Sequence, residues 1–175
     1  MISKQKKLAW FFTVLFFVAL LVFGFQMISG QQSIDKLLLR LSVYFLFYTI
    51  VAWHIIKQVL KAKHVTKNVI MGLVSGYISL GFLAFFLFMS IHLTHSNAFS
   101  GALLTSTDIN LQSESLLYYA FITLLTIGYG EIVPAIPIAQ KAAILVGLVG
   151  QFYIVIITAV VMEKYIRHSA SQNNS

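Results

Sequence analysis

Long apolar runs separated by short polar stretches make up most of the 175-residue chain. A helix rises about 1.5 Å per residue and the hydrocarbon core of a bilayer is roughly 30 Å thick, so a span needs about 20 mostly apolar residues. Four stretches meet this requirement, at about residues 8–29, 37–56, 68–93 and 138–162. The pattern therefore predicts an all-α membrane protein with four transmembrane helices.

A fifth apolar segment is too short to cross the bilayer. The connection between the third and fourth spans begins with a polar external loop at 94–113 that is rich in Ser, Thr and Asn. The apolar residues that follow, 116–125, would form a helix of about 15 Å, a length typical of re-entrant segments. We expect a short pore helix at about 114–125, capped by Ser113 or Ser115, that enters from outside and returns.

The short helix runs directly into the segment 126–130, Thr-Ile-Gly-Tyr-Gly. Extended backbone at membrane depth is tolerated only where it is buried in protein or lines a water-filled path. Gly128 and Gly130 can adopt positive φ without a Cβ penalty, which lets successive carbonyls of an extended strand point the same way. We expect a column of carbonyl oxygens that can replace the hydration shell of a cation, supplied by Thr126, Ile127, Gly128 and Tyr129 together with the Thr126 hydroxyl.

Composition narrows the classes of protein further. The chain is 59% hydrophobic and 10% charged, against about 25% charged residues in soluble domains, which excludes a water-soluble globule. The absence of cysteine excludes disulfides and thiolate chemistry. Because the basic residues lie between apolar runs, they indicate a membrane surface rather than nucleic acid. No hydrolase motif or phosphate-binding glycine loop is found, so we do not expect an enzyme.

The basic residues also predict the orientation. If the amino terminus is cytoplasmic, three cationic residues lie outside and nine lie inside: Lys4, Lys6, Lys7, Lys57, Lys61, Lys63, Lys67, Lys164 and Arg167. Cytoplasmic loops carry the excess of Lys and Arg in membrane proteins. We therefore expect a multi-pass protein of the cell membrane, in contact with its lipids and with both termini in the cytoplasm.

The segment 123–134 resembles the pore signature of potassium channels. It reads T-L-L-T-I-G-Y-G-E-I-V-P, and the family pattern is T-x-x-T-x-G-Y-G-D-x-x-P. The resemblance extends over about 68–165, as outer helix, pore helix, filter and inner helix. The chain is similar to small prokaryotic channels with two extra spans before a single pore module. The resemblance implies that 126–130 is a selectivity filter and that the permeant ion is K⁺, which passes between adjacent carbonyl sites.

The resemblance also implies residues that support the filter. Tyr119 corresponds by spacing to a pore-helix aromatic residue, and with Tyr129 it would form a cuff around the filter. Thr123 precedes the filter in the motif, and Glu131 stands where the family usually has Asp. The alternative is that Tyr118 and Tyr119 are interfacial aromatic residues.

On the inner helix the resemblance aligns Gly150 with the family's hinge glycine. Thr158 would then face the cavity beneath the filter. The alternative is that Gly147 and Gly150 only allow neighbouring helices to pack closely.

Each chain supplies one filter strand, and no internal repeat supplies others. Because a carbonyl ring around an ion needs four such strands, we expect a homotetramer. The predicted units are a two-helix membrane segment at 1–67 with a basic cytoplasmic loop at 57–67, the pore module at 68–165, and a short cytoplasmic tail at 166–175. We expect no cytosolic ligand domain and no organic cofactor.

Two other functions remain open, and so does one possible site. A K⁺ transporter subunit could use a similar pore loop, and a non-conducting membrane scaffold could retain the loop as structure. His92 and His95 stand at the outer end of the third span with a spacing that could seat a metal. An interfacial pair or a pH sensor at the pore mouth are the alternatives for these two residues.

Overall fold

The computed structural model describes residues 34–61 and 67–173. Its framework consists of four helices: α1 (Ile34–Lys61), α2 (Lys67–Thr94), α3 (Ile109–Leu124) and α4 (Pro137–Asn173). Three of these helices contain segments long and apolar enough to cross a membrane, namely Ile34–Gln58, Val69–Thr94 and Pro137–Glu163. The predicted all-α membrane architecture is confirmed for this part of the chain. The span predicted at 8–29 lies outside the described residues.

The helices extend beyond the apolar runs that predict them. α1 reaches Lys61, so it includes the first residues of the connection predicted at 57–67. α4 continues to Asn173, and most of the tail predicted from residue 166 is therefore helical. Hydropathy marks only the part of a helix that fits the hydrocarbon, whereas helical hydrogen bonding continues into the polar residues that follow.

The start of α3 corrects the prediction for the pore helix, which placed it at about residue 114. The helix begins at Ile109, and the carboxylate of Asp108 accepts a hydrogen bond from the amide of Asn110 at 2.9 Å. Ser113 and Ser115 are not caps but lie inside the helix, where their hydroxyls donate to carbonyls one turn earlier. The first turns are polar, so the apolar run marks only the inner part of this helix.

The connection before α3 is ordered by pairing with the chain that follows the segment 126–130. Strand β1 (Phe99–Ser100) pairs antiparallel with β2 (Val133–Pro134), and a 3₁₀-helix follows at Ala102–Leu104. Gly101 lies between them with φ 152°, and a Cβ there would overlap the carbonyl oxygen of Glu131. Because only glycine fits both this conformation and this approach, Gly101 fixes this connection against Glu131, the residue that follows the segment 126–130.

The core lies where α2 packs between α1 and α3, with α4 against both α2 and α3. Its largest fully buried side chains come from α2 and α3: Phe88, Met89, Leu116 and Leu124. On the other side of α2, the ring of Tyr48 in α1 lies 5.1 Å from that of Phe82 and 5.5 Å from that of Phe86, between centroids. α1 therefore supports the outer face of α2, and α3 is held in the pore module by apolar packing.

Candidate functional site

The chain leaves α3 through a tight set of backbone hydrogen bonds. The amide of Thr126 donates to the carbonyl of Thr123 at 3.0 Å. The carbonyl of Ile122 accepts from two amides, that of Ile127 at 2.9 Å and that of Gly128 at 3.3 Å. The carboxyl end of α3 thus holds the first half of the segment 126–130, and Thr123 acts there through its backbone.

The sign of φ alternates along the same segment. It is positive at Thr126 (57°), Gly128 (57°) and Gly130 (93°), and Ile127 and Tyr129 between them do not have positive φ. Such alternation turns successive peptide planes so that their carbonyls can face one side. The positive φ expected at the two glycines is therefore found at both.

Thr126 was not expected to share this conformation. A residue with a Cβ loses about 1–2 kcal/mol in the left-handed region. The Thr126 hydroxyl donates to the neighbouring carbonyl of Leu125 at 2.7 Å, a local bond that helps to hold the turn. Short polar side chains that bond to nearby backbone are the usual exceptions in this region.

The segment 125–131 is exposed throughout in the single chain. Tyr129 is 68% exposed and Ile127 is 47% exposed, although both are large and apolar or aromatic. A Cβ added at Gly128 or Gly130 would meet no atom within 4 Å. Glycine is therefore required at these two positions by backbone conformation and not by a shortage of space.

The two neighbouring tyrosines of α3 differ in what they contact. Tyr119 is only 5% exposed, and its ring packs 4.9 Å from that of Phe88 and 5.4 Å from that of Phe99, so it faces the core and not the filter. Tyr118 is the residue that reaches Glu131. The predicted cuff of Tyr119 and Tyr129 is not seen within the single chain, and for an assembly of chains it stays a prediction.

Tyr118 interacts through its hydroxyl with Glu131, just after the segment 126–130. Desolvation raises the pKa of Tyr118 above its usual 10.0, and so do the charge of Glu131, a hydrogen bond to that carboxylate and the charge of Tyr129. A bond that raises a phenol pKa is one in which the protonated hydroxyl donates. Burial raises the pKa of Tyr119 as well. Both hydroxyls stay protonated at neutral pH, and only that of Tyr118 serves Glu131.

The glycine and threonine proposed for the inner helix lie on α4. The helix passes Gly150 without interruption, and a Cβ at this position would overlap the carbonyl oxygen of Leu124 at the end of α3. Close packing is thus the role that the contacts give to Gly150. Thr158 is exposed and lines an apolar crevice between α2 and α4. Its place in an ion cavity concerns the assembly and stays a prediction.

The two histidines at the carboxyl end of α2 do not form a joint site. His92 turns inward, with its Nε2 3.2 Å from Oε1 of Gln112, and His95 is exposed beside the hydroxyl of Thr94. Among the residues that the structure describes, no group of three His, Cys, Asp or Glu side chains could hold a metal.

Sequence reasoning missed two contacts at the site. The hydroxyl of Tyr77 in α2 donates to the carbonyl of Leu124 at 3.0 Å, and Tyr118 reaches Glu131. The available signal for Tyr77 was a hydroxyl within an apolar span, which must find a partner. For Tyr118 the only signal was its position next to Tyr119.

Comparison with known proteins gives one match. Residues 82–167 match the family described as "Ion channel". This segment is just under half of the chain and includes the carboxyl-terminal part of α2, all of α3, the segment 126–130 and the apolar part of α4. Neither the curated proteins nor the solved structures gave a match. A short helix and an exposed loop with positive φ lie here between two helices that are long and apolar enough to span a membrane. By family match and by fold, residues 82–167 are similar to an ion-channel domain, in a chain with the helices of a multi-pass membrane protein.

Proposed function

We propose that the protein is a potassium-selective channel and that four copies of the chain form one pore. The observation that carries the proposal is the alternation of φ at Thr126, Gly128 and Gly130 in an exposed segment anchored to the end of α3. Four such segments around one axis would surround an ion with backbone carbonyls in place of water. The Thr-x-Gly-Tyr-Gly signature at 126–130 resembles that of potassium channels, and it indicates K⁺ as the permeant ion.

Charge in the pore module supports cation passage. A helix carries partial negative charge at its carboxyl end, and α3 ends at Leu124, directly before the filter. Glu131 is exposed just beyond the filter, and four copies would raise the local concentration of cations at the outer mouth. The charges thus favour a cation on both sides of the filter.

The exposed surface of α4 supports assembly around a central pathway. The helix presents apolar side chains that are about half exposed or more in the single chain, among them Leu145, Leu148 and Phe152. Gln151 lies between them and is also exposed. Because an unsatisfied amide in hydrocarbon costs several kcal/mol, this position favours a neighbouring subunit or a water-filled cavity over lipid. In the orientation that the basic residues predict, both termini lie in the cytoplasm of a cell-membrane protein.

The first test is recording from the purified protein in a planar bilayer with KCl on one side and NaCl on the other. We expect single-channel steps and a reversal potential close to that of K⁺. Saturating flux without steps would favour a transporter subunit, and the absence of conductance would favour a scaffold. Native mass spectrometry should find four copies of the 19.6 kDa chain, and any other number would contradict the tetrameric pore.

The contact between Tyr118 and Glu131 yields a second prediction. Tyr118→Phe keeps the ring and removes the hydroxyl that donates to the carboxylate. The end of the filter should be held less firmly, so K⁺ current should decline a few-fold faster during sustained recording. Tyr119→Phe is the matched control, because its ring remains packed on Phe88 and Phe99 and the hydroxyl that it loses interacts with Thr123 and not with Glu131. If Tyr119→Phe speeds the decline and Tyr118→Phe does not, the assignment is reversed.

A further inference from the structure

A tyrosine from α2 reaches the base of the filter. Tyr77 lies within the span Val69–Thr94, where a hydroxyl has no water to bind. Its hydroxyl donates to the carbonyl of Leu124, 47 residues away in the sequence, at 3.0 Å. A buried tyrosine hydroxyl usually has a hydrogen-bond partner. Here that partner is backbone two residues before Thr126, the first residue of the filter.

The carbonyl that Tyr77 binds is the last of α3. The three carbonyls before it, those of Phe121, Ile122 and Thr123, accept from backbone amides of residues 125–128. Leu124 accepts from the side chain of another helix instead. Within the described part of the chain, the direction of this one carbonyl is therefore set by α2.

α4 packs against the same carbonyl from a second side. Gly150 approaches so closely that a Cβ would overlap the Leu124 oxygen. The side chain of Leu124 is 1% exposed, so the residue as a whole cannot move without displacing the core. Leu124 is thus held between α2, through Tyr77, and α4, through Gly150.

A second tyrosine joins α4 back to α2. The hydroxyl of Tyr153 donates to the carbonyl of Leu73 at 2.7 Å, one turn before Tyr77. The rings of Tyr77 and Tyr153 lie 5.4 Å apart between centroids, with 42° between their planes. The hydroxyl of Tyr153 also occupies the space that a side chain at Gly76 would need. We call Tyr77 and Tyr153 the tyrosine pair.

We propose that the tyrosine pair positions the selectivity filter and couples it to α4. Tyr77 fixes the Leu124 carbonyl, and with it the turn in which residues 126–128 bond to the end of α3. Tyr153 holds Tyr77 against α4, so a displacement of α4 moves the base of the filter. Tyr77 and Tyr153 are positioning residues, since they act on the ion through backbone. The inference rests on the proposed channel function for its effect on K⁺, but its structural part does not.

The test compares Tyr77→Phe and Tyr153→Phe with Tyr48→Phe. Tyr48 is also a membrane tyrosine, and its ring packs on Phe82 and Phe86. In bilayers, Tyr77→Phe should lower the preference for K⁺ over Na⁺ about two- to tenfold, the range that corresponds to one net hydrogen bond. Tyr48→Phe should leave it unchanged. A merely structural loss would reduce the amount of assembled protein without changing the preference of the remaining channels.

A second readout does not depend on conduction. Hydrogen–deuterium exchange of the peptide 122–130 should rise in Tyr77→Phe, because the amides of Ile127 and Gly128 bond to the end of α3, and it should not rise in Tyr48→Phe. Unchanged exchange in Tyr77→Phe overturns the proposal, whatever the currents do. Raised exchange in a protein that does not conduct would support the positioning role while the channel function fails.

The coupling of the filter to α4 is tested separately, with the double variant of Tyr77 and Tyr153. If Tyr153 acts through Tyr77, the double variant should be no worse than Tyr77→Phe alone, in exchange and in ion preference. Additive effects of the two single variants would overturn the coupling, because they would mean that each tyrosine acts independently.

Discussion

Gly150→Ala is expected to lower the stability of the pore module. The added Cβ would overlap the backbone oxygen of Leu124, and backbone cannot rotate away as a side chain can. α4 would have to move away from α3, and overpacking of this kind typically costs about 1–3 kcal/mol. The same movement weakens the bond from Tyr77, worth about 0.5–1.5 kcal/mol. The gain of about 1 kcal/mol from alanine's helix propensity is smaller than these losses combined.

The measurement is the thermal unfolding midpoint of the protein in detergent, with Gly147→Ala as the matched control. Gly147 lies on the same helix, and a Cβ there would come no closer than 3.9 Å to the carbonyl oxygen of Thr123. Gly147→Ala should therefore be as stable as the wild type or slightly more so. If Gly150→Ala is equally stable but changes channel opening, Gly150 is a hinge and its packing role is secondary.

The spans of the described residues and the positive φ of Gly128 and Gly130 could be predicted because both depend on local physics. A run of apolar residues must be long enough for the bilayer, which places α1, α2 and α4 within a few residues at their outer ends. Positive φ at Gly128 and Gly130 follows from the need to align carbonyls. Neither prediction depends on which other elements the helices pack against.

The rotation of α3 about its axis could not be predicted. Its inner part is apolar on every side, so no periodicity tells which tyrosine faces the core. Tyr119 is buried because Phe99 packs against it, and the position of Phe99 depends on the pairing of β1 with β2. That pairing joins residues more than thirty positions apart, and no short pattern records it.

Contacts to backbone carbonyls are the other part that the sequence does not reveal. Tyr77 and Gly150 both meet the carbonyl of Leu124, and Gly101 meets that of Glu131. Every residue has a carbonyl, so the identity of Leu124 or Glu131 gives no hint of such a contact. The sequence shows only the second partner of each contact, which is a tyrosine hydroxyl or a glycine in an unusual position.

Gly128→Ala is expected to abolish selective K⁺ conduction while the protein still assembles. Space is not the obstacle, because a Cβ at Gly128 would meet nothing within 4 Å. The obstacle is φ of 57°, which costs an alanine about 1–2 kcal/mol in each chain. Thr126 has the same φ but bonds its hydroxyl to the Leu125 carbonyl, and alanine has no such group. In a tetramer the cost occurs four times around one ring, so the carbonyls should leave their alignment.

The measurement is the reversal potential between K⁺ and Na⁺, with Ile127→Val as the matched control. Ile127 does not have positive φ and its side chain is 47% exposed, so valine should leave the backbone and the preference for K⁺ intact. Native mass spectrometry of Gly128→Ala separates lost conduction from lost assembly. A Gly128→Ala protein that conducts K⁺ as selectively as the wild type would show that ions do not pass along the carbonyls of 126–130. The conducting path would then have to lie elsewhere in the ion-channel domain, and the strained backbone at Thr126 would need another explanation.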